Sequence, residues 1–242
     1  MIPVYAVITA YNEAQNLGPL MERMAEVGRQ WNPITTIVVD DGSSDDTVAV
    51  AREHGCLVAV HPVNLGQGYA LLTGFKLALM YCPDDGYIVE LDGDGQHDPI
   101  FIPRLVHHLA EQKVDIVVGS RILGSNYHNA PFFRRTMLPY YTKAINRITG
   151  YDLTDTMCGF RGFKAGSLRR MSAVLDRMLE PQYIAAEMFM RFSHAGLTIS
   201  EAPIDLQDRT SGKSRKGFIR YGVGVLRAMC KAWLDQNYRR KK

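Results

Sequence analysis

The sequence predicts an α/β fold in which a mainly parallel β-sheet carries helices on both of its faces. Short β-branched runs alternate with longer segments of helical periodicity through the first half of the chain, which is the pattern of βαβ units. The runs are apolar throughout, as expected for strands that are buried on both faces of a parallel sheet. Polar residues follow several of these runs, so we expect a binding site at the carboxyl edge of the sheet.

Five strands and five helices account for most of this pattern. Strands are predicted at residues 4–9, 35–39, 57–60, 87–91 and 115–119. Helices are predicted at residues 14–29, 46–54, 68–81, 99–112 and 184–194. Right-handed crossovers should connect the parallel strands. No repeat or linker divides the chain, so we expect one domain over residues 1–217, with an amphipathic helix and basic tail over residues 218–242 as part of it or docked on it.

The composition is that of an ordinary globular protein. The chain has 242 residues, of which 46% are hydrophobic and 22% are charged, and this length suits one large domain. No apolar run reaches the roughly 18 residues of a membrane-spanning helix, and the N-terminus lacks a signal-peptide pattern. The four cysteines form no C-x-x-C pair, which fits reduced thiols. We therefore expect a cytoplasmic protein.

The basic residues are distributed unevenly, and their positions say more than the net charge of +3. Clusters at residues 209–216 and 239–242 favour anionic partners, either phosphate or a lipid headgroup. The 28 Lys and Arg residues are balanced by 25 acidic residues, and no basic stripe interleaves with aromatic residues. A nucleic-acid-binding role is therefore disfavoured.

Polar loops follow four of the predicted strands, and such loops converge in an open α/β sheet. They are T-A-Y-N-E at 9–13, D-D-G-S-S-D at 40–45, D-G-D-G-Q-H at 92–97 and S-R at 120–121. Tyr11 can stack on a base, and a carboxylate of the Asp40–Asp41 pair can accept hydrogen bonds from a nucleoside. Arg121 can neutralise phosphate.

Two carboxylates after the fourth strand indicate a divalent cation. Asp92 and Asp94 are two residues apart, so their side chains leave an extended backbone on the same face, with Gln96 next in line. At ~4 Å their repulsion is about 4 kcal/mol for an effective dielectric near 20, and a bound cation relieves it. Oxygen ligands at this spacing suit Mg²⁺ or Mn²⁺, whereas zinc favours sulfur or imidazole.

Simpler roles remain open for several of these residues. Asn12 or Ser44 can cap the helix that follows it, and Tyr11 can be a buried ring. The acidic loop can be a polar turn in which Asp98 caps the next helix and Pro99 occupies its first position.

The glycine-rich turn N-L-G-Q-G at residues 64–68 precedes a predicted helix. It can present backbone N–H groups to an anion, although a lone glycine-rich turn is a weak signal and the full G-x-G-x-x-G is absent. The chain contains neither a Walker A sequence nor G-x-S-x-G. P-loop chemistry and serine hydrolysis therefore lose support.

Taken together, these segments resemble the family 2 glycosyltransferases of GT-A fold, a Rossmann-like nucleotide-diphospho-sugar transferase fold. The matching segments are 9–13, 38–47, 64–75, 92–97 and 119–121, followed by D-T-M-C-G-F-R at 155–161, E-A-P at 201–203 and R-x-x-G-x-S-R at 209–215. The later segments are similar to the dolichol-phosphate mannosyltransferase branch, and the resemblance spans residue 3 to about residue 216. It implies inverting transfer of a sugar from a nucleotide diphosphate, either GDP-mannose or a UDP-hexose, with Mg²⁺ or Mn²⁺ at Asp92, Asp94 and Gln96.

The resemblance also implies roles for single residues. Tyr11, Glu13 and Asp41 would hold the nucleoside, with Asp40 as a close neighbour, and Thr9, Asp92 and Gly93 would also bind the donor. The diphosphate or the acceptor phosphate would be held by Arg121, Arg209 and Arg215. The chain departs from the usual residues at Thr9 (Pro), Gly93 and Gly95 (bulkier residues), Cys158 (Ser) and Arg215 (Lys). None of these departures removes a ligand. The two glycines should loosen the acidic loop, and arginine in place of lysine keeps the charge but alters the phosphate geometry.

The implied mechanism depends on the charge of the leaving group. The sugar C1 becomes oxocarbenium-like as the diphosphate departs, and the cation at Asp92 and Asp94 would neutralise the leaving group together with Arg209 and Arg215. A lipid phosphate acceptor is already ionised and needs no base, whereas a hydroxyl acceptor must lose a proton.

A carboxylate on the fifth predicted helix is the candidate base for a hydroxyl acceptor. Glu187 would take the proton, or it is a helix-surface carboxylate with no such role. Asp155 can likewise be structural and orient Arg161.

Two segments of the chain have patterns typical of a surface that binds a membrane or another protein. Aromatic and basic residues over 124–150 form a helix-like run, which would either lie at a membrane interface or simply cover the sheet. The helix at 218–238 has Tyr221, Val225, Met229 and Trp233 at heptad-like spacing. It should dock on the domain, on a second subunit of a homodimer or on a membrane-protein partner.

The leading prediction is an enzyme that makes a polyprenyl- or dolichyl-phosphate-linked sugar at the cytoplasmic face of a membrane. The alternative is a cytoplasmic transferase of the same fold that acts on a hydroxyl of a glycan or small molecule. A third hypothesis, from another class, is a nucleotide-sugar binding module without turnover.

Overall fold

The structure is a computed structural model that describes residues 2–127, 132–176, 178, 181–182, 184–207, 224, 226–231 and 234. Within these ranges no helix is both long enough and apolar enough to cross a membrane. The predicted boundary between residues 217 and 218 lies outside the described residues.

A seven-stranded sheet forms the centre of the described chain, in the order β3-β2-β1-β4-β6-β5-β7. The strands are β1 (Val4–Ala10), β2 (Ile34–Asp40), β3 (Leu57–Val60), β4 (Tyr87–Asp92), β5 (Ile116–Ser120), β6 (Arg161–Lys164) and β7 (Ile199–Pro203). Neighbouring strands are parallel except that β6 runs antiparallel to both β4 and β5. The predicted α/β fold with a mainly parallel sheet is confirmed.

Eight α-helices with defined bounds accompany the sheet in the described ranges, and residues 226–231 are helical as well. They are α1 (Ala14–Gln30), α2 (Thr47–Glu53), α3 (Gln67–Tyr81), α4 (Ile102–Glu111), α5 (Phe132–Thr149), α6 (Ala165–Arg170), α7 (Ser172–Leu175) and α8 (Ile184–His194). A 3₁₀ turn, Pro99–Phe101, leads into α4, and the Asp98 side chain accepts the backbone N–H of Ile100 at 3.1 Å. The predicted cap and first-position proline are therefore present.

Two apolar cores lie on opposite faces of the sheet, because successive strand residues point to opposite sides. Ile8 of β1 packs in the core that includes Leu20 of α1 and Leu105 of α4. Its neighbour Val7 packs in the core that includes Phe75 of α3. Helices therefore cover both faces, as the uninterrupted apolar strands predict.

Strands β6 and β7 were not predicted, because neither has the pattern of an apolar run. β6 reads R-G-F-K, yet it pairs between β4 and β5, and Arg161 lies directly opposite Glu90. The two side chains form a buried ion pair at 3.2 Å. Burial raises the pKa of Glu90 to about 7, and the positive charge of Arg161 only partly offsets this effect. A charged cross-strand pair thus occupies a position where sequence reasoning expects an apolar residue.

Helix α3 packs closely on the sheet at Gly74. A Cβ atom there would overlap Val7 Cγ1 and lie 3.2 Å from Val39 Cγ2, and both valines are fully buried. We expect Gly74→Ala to lower the free energy of unfolding by about 1–3 kcal/mol because the core has no room for the methyl group. Urea unfolding at pH 7 measures this change.

Gly18 of α1 provides the matched control, because a Cβ atom there meets nothing closer than 3.9 Å. Gly18→Ala should stabilise the protein by about 0.5–1 kcal/mol, as expected for a glycine replaced inside a helix. Equal effects of the two substitutions would contradict the close packing of α3.

Candidate active site

The carboxyl ends of β1, β2 and β4 lie side by side and bring the acidic loops together. Ala10 pairs with Asp40 of β2, and Thr9 pairs with Asp92 of β4. Beyond the strand, the backbone N–H of Gly93 donates to the carbonyl of Thr9 at 3.0 Å. The loops that begin at Asp40 and Asp92 therefore flank the end of β1.

The carboxylate of Asp41 holds the turn that leads into α3. It accepts the backbone N–H groups of Leu65 at 3.0 Å and Gly66 at 2.8 Å, and His61 Nδ1 lies 2.8 Å from it. His61 Nε2 in turn lies 3.0 Å from Thr73 Oγ1. Asp41 thus has a structural task that its place in the D-D-G-S-S motif does not reveal, and its contact with a nucleoside stays a prediction.

Its neighbour Asp40 retains an unused acceptor. The Oδ2 atom of Asp40 accepts the backbone N–H of Ser43 at 3.0 Å. Its Oδ1 atom is buried and accepts no hydrogen bond from any of the described residues. A buried polar atom without a partner costs about 1–3 kcal/mol, and such atoms call for an explanation at functional sites.

The polar residues of the first two loops join the loops to each other. Asn12, at a left-handed φ of 54°, accepts the backbone N–H of Ser44 at 2.7 Å. Helices α1 and α2 have Glu13 and Asp46 at their N-cap positions, without a side-chain cap. The interpretation of Asn12 or Ser44 as a helix cap was therefore wrong, because their hydrogen-bonding groups link the two loops instead.

Tyr11 and Glu13 extend the same edge of the sheet. Tyr11 is 36% exposed, so the interpretation as a buried ring was wrong, and its stacking on a base stays a prediction. Glu13 accepts Asn16 Nδ2 at 2.5 Å, and its backbone N–H donates to Thr47 Oγ1 at 2.9 Å. The second of these bonds attaches the segment after β1 to the start of α2.

The acidic loop carries donors that suit Mg²⁺ or Mn²⁺. Asp92 Oδ1 accepts Gln67 Nε2 at 2.6 Å, and Asp94, which is 8% exposed, accepts the backbone N–H of Gln96 at 3.0 Å. Within the described ranges no three His, Cys, Asp or Glu side chains cluster as metal ligands. The assignment of Asp92, Asp94 and Gln96 as ligands of a cation that completes its shell with substrate phosphate and water stays a prediction.

His97 holds the backbone of the acidic loop through a hydrogen bond. Its Nδ1 atom accepts the backbone N–H of Asp92 at 3.1 Å, so the ring is neutral and carries its proton on Nε2. Burial lowers the pKa of His97, and this effect outweighs the neighbouring charges of Asp92 and Asp94. The sequence pattern did not single out His97, although it lies in the acidic motif.

Arg121 is anchored by Asp155. Its Nε and Nη2 atoms lie 2.6 and 2.8 Å from the two oxygens of the fully buried Asp155 carboxylate. Burial alone would raise the pKa of Asp155, but the charge and hydrogen bonds of Arg121 lower it below the ordinary value. The hypothesis that Asp155 orients Arg161 was wrong, because Arg161 pairs with Glu90. Contact of Arg121 with phosphate stays a prediction.

Glu187 lies inside the protein. It is 1% exposed, and its Oε1 atom accepts Arg191 Nε at 2.8 Å and Nη2 at 2.6 Å. The interpretation as a helix-surface carboxylate was wrong, because most of α8 is buried. Its role as a base stays a prediction.

The chain passes beside the acidic loop again after β7. The backbone N–H of Gln207 donates to the carbonyl of Gln96 at 2.9 Å, and Leu206 forms an isolated β-bridge with His97. Arg209 and Arg215 lie outside the described residues, as does most of the predicted helix at 218–238. Of that helix, residues 224, 226–231 and 234 are described, and Ala228 and Met229 belong to the apolar core that also includes residues of α1 and α4.

Helix α5 presents two different faces. Leu138, Thr142 and Ile145 are buried, and this face covers the core. The opposite face exposes Tyr140, which is 66% accessible, together with Lys143. The helix therefore packs on α8 and the core, and it also leaves an aromatic and basic surface outside.

The Asp155–Arg121 pair generates a prediction on stability. Asp155→Asn should lower the free energy of unfolding by about 3–5 kcal/mol at pH 7, because Arg121 then lacks its partner charge. The pKa of Asp155 is depressed in the folded state, so this contribution is present above the unfolded value of about 4 and is lost as pH falls below it. Urea unfolding from pH 8 to pH 3 measures the difference.

The exposed Asp152, whose side chain lies outside the pair, is the control. Asp152→Asn should change stability by less than about 0.5 kcal/mol. A wild-type advantage over Asp155→Asn that does not shrink in acid would contradict an ionised Asp155.

Two glycosyltransferases are similar to this chain in sequence. Undecaprenyl-phosphate mannosyltransferase of Micrococcus luteus is 31% identical over 222 residues, covering 88% of this chain and 86% of that protein. UDP-N-acetylglucosamine--dolichyl-phosphate N-acetylglucosaminyltransferase of Methanococcus voltae is 27% identical over 220 residues, covering 83% and 84%.

Solved structures share the fold. Mannosyl-3-phosphoglycerate synthase from Rubrobacter xylanophilus has a TM-score of 0.71 at 17% identity, covering 98% of this chain and 75% of that chain. Glucosyl-3-phosphoglycerate synthase from Mycobacterium tuberculosis, in complex with Mn²⁺, UDP and glucosyl-3-phosphoglycerate, has a TM-score of 0.69 at 18% identity, covering 96% and 80%. The family model for glycosyl transferase family 2 matches residues 5–172. The chain therefore belongs to glycosyltransferase family 2 and is an inverting glycosyltransferase of GT-A fold.

Proposed function

We propose that this enzyme transfers a sugar from a nucleotide diphosphate, either GDP-mannose or a UDP-hexose, to a polyprenyl or dolichyl phosphate. The observation that carries the proposal is the position of Asp40 and Asp92 on either side of the end of β1, where a nucleoside and its diphosphate can lie across one sheet edge. The names of the Micrococcus and Methanococcus relatives support a lipid-phosphate acceptor.

Asp92, Asp94 and Gln96 would hold Mg²⁺ or Mn²⁺, which supplies positive charge for the departing diphosphate. Tyr11 would stack on the base. The unused Oδ1 atom of Asp40 would accept a nucleoside N–H or hydroxyl, once the atoms that cover it give way. The cationic side of the site would come from Arg121, Arg209 and Arg215.

A lipid phosphate needs no general base, and this agrees with the surroundings of Glu187. Its carboxylate is buried and paired with Arg191, and a positive partner makes a carboxylate a weaker proton acceptor. Transfer to a hydroxyl of a glycan or small molecule is the second candidate, and Glu187 would be its base.

The acceptor would be met at the cytoplasmic face of a membrane. The exposed face of α5, with Tyr140 and Lys143, suits the boundary of anionic headgroups. The basic segment over residues 239–242 would add to this attraction, and a homodimer or a membrane-protein partner would engage the helix at 218–238.

Asp94 provides the first test of the reaction. Purified enzyme with Mn²⁺ and each of GDP-mannose, UDP-glucose and UDP-N-acetylglucosamine should glycosylate undecaprenyl or dolichyl phosphate, detected by mass spectrometry of the lipid. Asp94→Ala should lower the rate about 100-fold or more, because charge stabilisation at the leaving group is lost. Asp98→Asn, which alters the nearby cap, should keep most of the activity. Transfer only to hydroxyl acceptors, or nucleotide binding without turnover, would overturn the proposal.

Glu187 separates the two acceptor classes. Glu187→Gln deprives Arg191 of its partner charge, so rates are compared per amount of folded enzyme. Transfer to a lipid phosphate should then stay within a few-fold of wild type, because no proton is removed, whereas transfer to a hydroxyl should fall by about 10²–10⁴-fold. Initial rates with both acceptors measure the difference. Full activity on a sugar acceptor would exclude Glu187 as the base.

A further inference from the structure

The carboxylate at the end of β4 receives a hydrogen bond from another element. Gln67, the first residue of α3, donates from Nε2 to Asp92 Oδ1 at 2.6 Å. This distance is at the short end for a charge-assisted hydrogen bond. The two residues are 25 positions apart in the chain, so the contact depends on how α3 is seated on the sheet.

The backbone around Gln67 is held on both sides. The N–H of Gly66 donates to Asp41 at 2.8 Å, and the N–H of Gly68 donates to the carbonyl of Pro181 at 2.8 Å. Gly66 has a φ of 102°, and a Cβ atom there would lie 2.5 Å from the Pro181 oxygen. The backbone of Gln67 is therefore held in place, and its side-chain amide reaches Asp92 from a defined position.

A glycine lies on the other side of Asp92. Gly159 faces it, and a Cβ at that position would lie 3.3 Å from Asp92 Oδ2. The backbone N–H of Asp92 is held by His97 Nδ1 at 3.1 Å. Gln67 thus orients Asp92 with a neutral amide, and the negative charge of the carboxylate is left for a cation.

We propose that Gln67 is a positioning residue that holds Asp92 for the divalent cation, and that its neutrality is what makes the site depend on a cation. A lysine at this position would place an ammonium group against Asp92 and replace the cation electrostatically. The inference rests on the cation site of the proposed function. Hydrogen bonds to ligating carboxylates typically change metal affinity by about 10–100-fold.

Manganese binding tests this inference without an activity assay. Free Mn²⁺ is followed by electron paramagnetic resonance during titration of the enzyme with UDP or with GDP present. Gln67→Met keeps the length of the side chain but removes the donor, and it should weaken Mn²⁺ binding about tenfold or more. Gln67→Lys should abolish Mn²⁺ binding, and the thermal shift caused by the nucleotide should then be the same with and without Mn²⁺.

Gln30→Met is the matched control, because Gln30 is an exposed residue of α1 that bonds only Glu26 among the interactions described for it. It should leave Mn²⁺ affinity unchanged. A purely structural role for Gln67 predicts a lower melting temperature for Gln67→Met with wild-type Mn²⁺ affinity, and that result would overturn the inference. Wild-type binding that is lost in Asp94→Ala but kept in both Gln67 variants would overturn it while leaving the proposed cation site intact. Absence of Mn²⁺ binding by the wild type would overturn both.

Discussion

The parallel pairing of β1 between β2 and β4 is the constraint on which the site depends. Because the three strands end at the same level, their carboxylates meet at one edge instead of dispersing over the surface. Such a concentration of negative charge is costly. Neutral hydrogen-bond donors stabilise the carboxylates, as the backbone N–H groups of Leu65 and Gly66 do for Asp41. The acidic loops are therefore held in place mainly by hydrogen bonds from other loops and from α3.

Three other carboxylates of the protein are held by ion pairs. Glu90 with Arg161, Asp155 with Arg121 and Glu187 with Arg191 are all buried or nearly so. Buried pairs add little net stability, but the loss of one partner is expensive. They therefore act mainly as geometric restraints. Two of them join distant segments of the chain, Glu90 with Arg161 and Asp155 with Arg121, whereas Glu187 and Arg191 lie one turn apart in α8.

The sequence predicted the first five strands because each contains a short run of mainly apolar residues. It did not predict β6 or β7, whose burial depends on partners distant in the chain, as Arg161 depends on Glu90. The same limit applies to the site. The positions of Asp40 and Asp92 follow from the rule that ligands bind at strand ends, whereas the bond from Gln67 to Asp92 requires knowledge of how α3 meets β4. Local patterns cannot encode such contacts.

The reversed direction of β6 changes which part of the chain reaches the site. A parallel strand delivers the residues that follow it to the carboxyl edge, but an antiparallel strand delivers the residues that precede it. This is how Gly159, two residues before β6, comes to face Asp92. Insertions in the connection that enters β6 would consequently add chain at the edge of the sheet where β4 ends, while insertions after Lys164 would add it at the opposite edge.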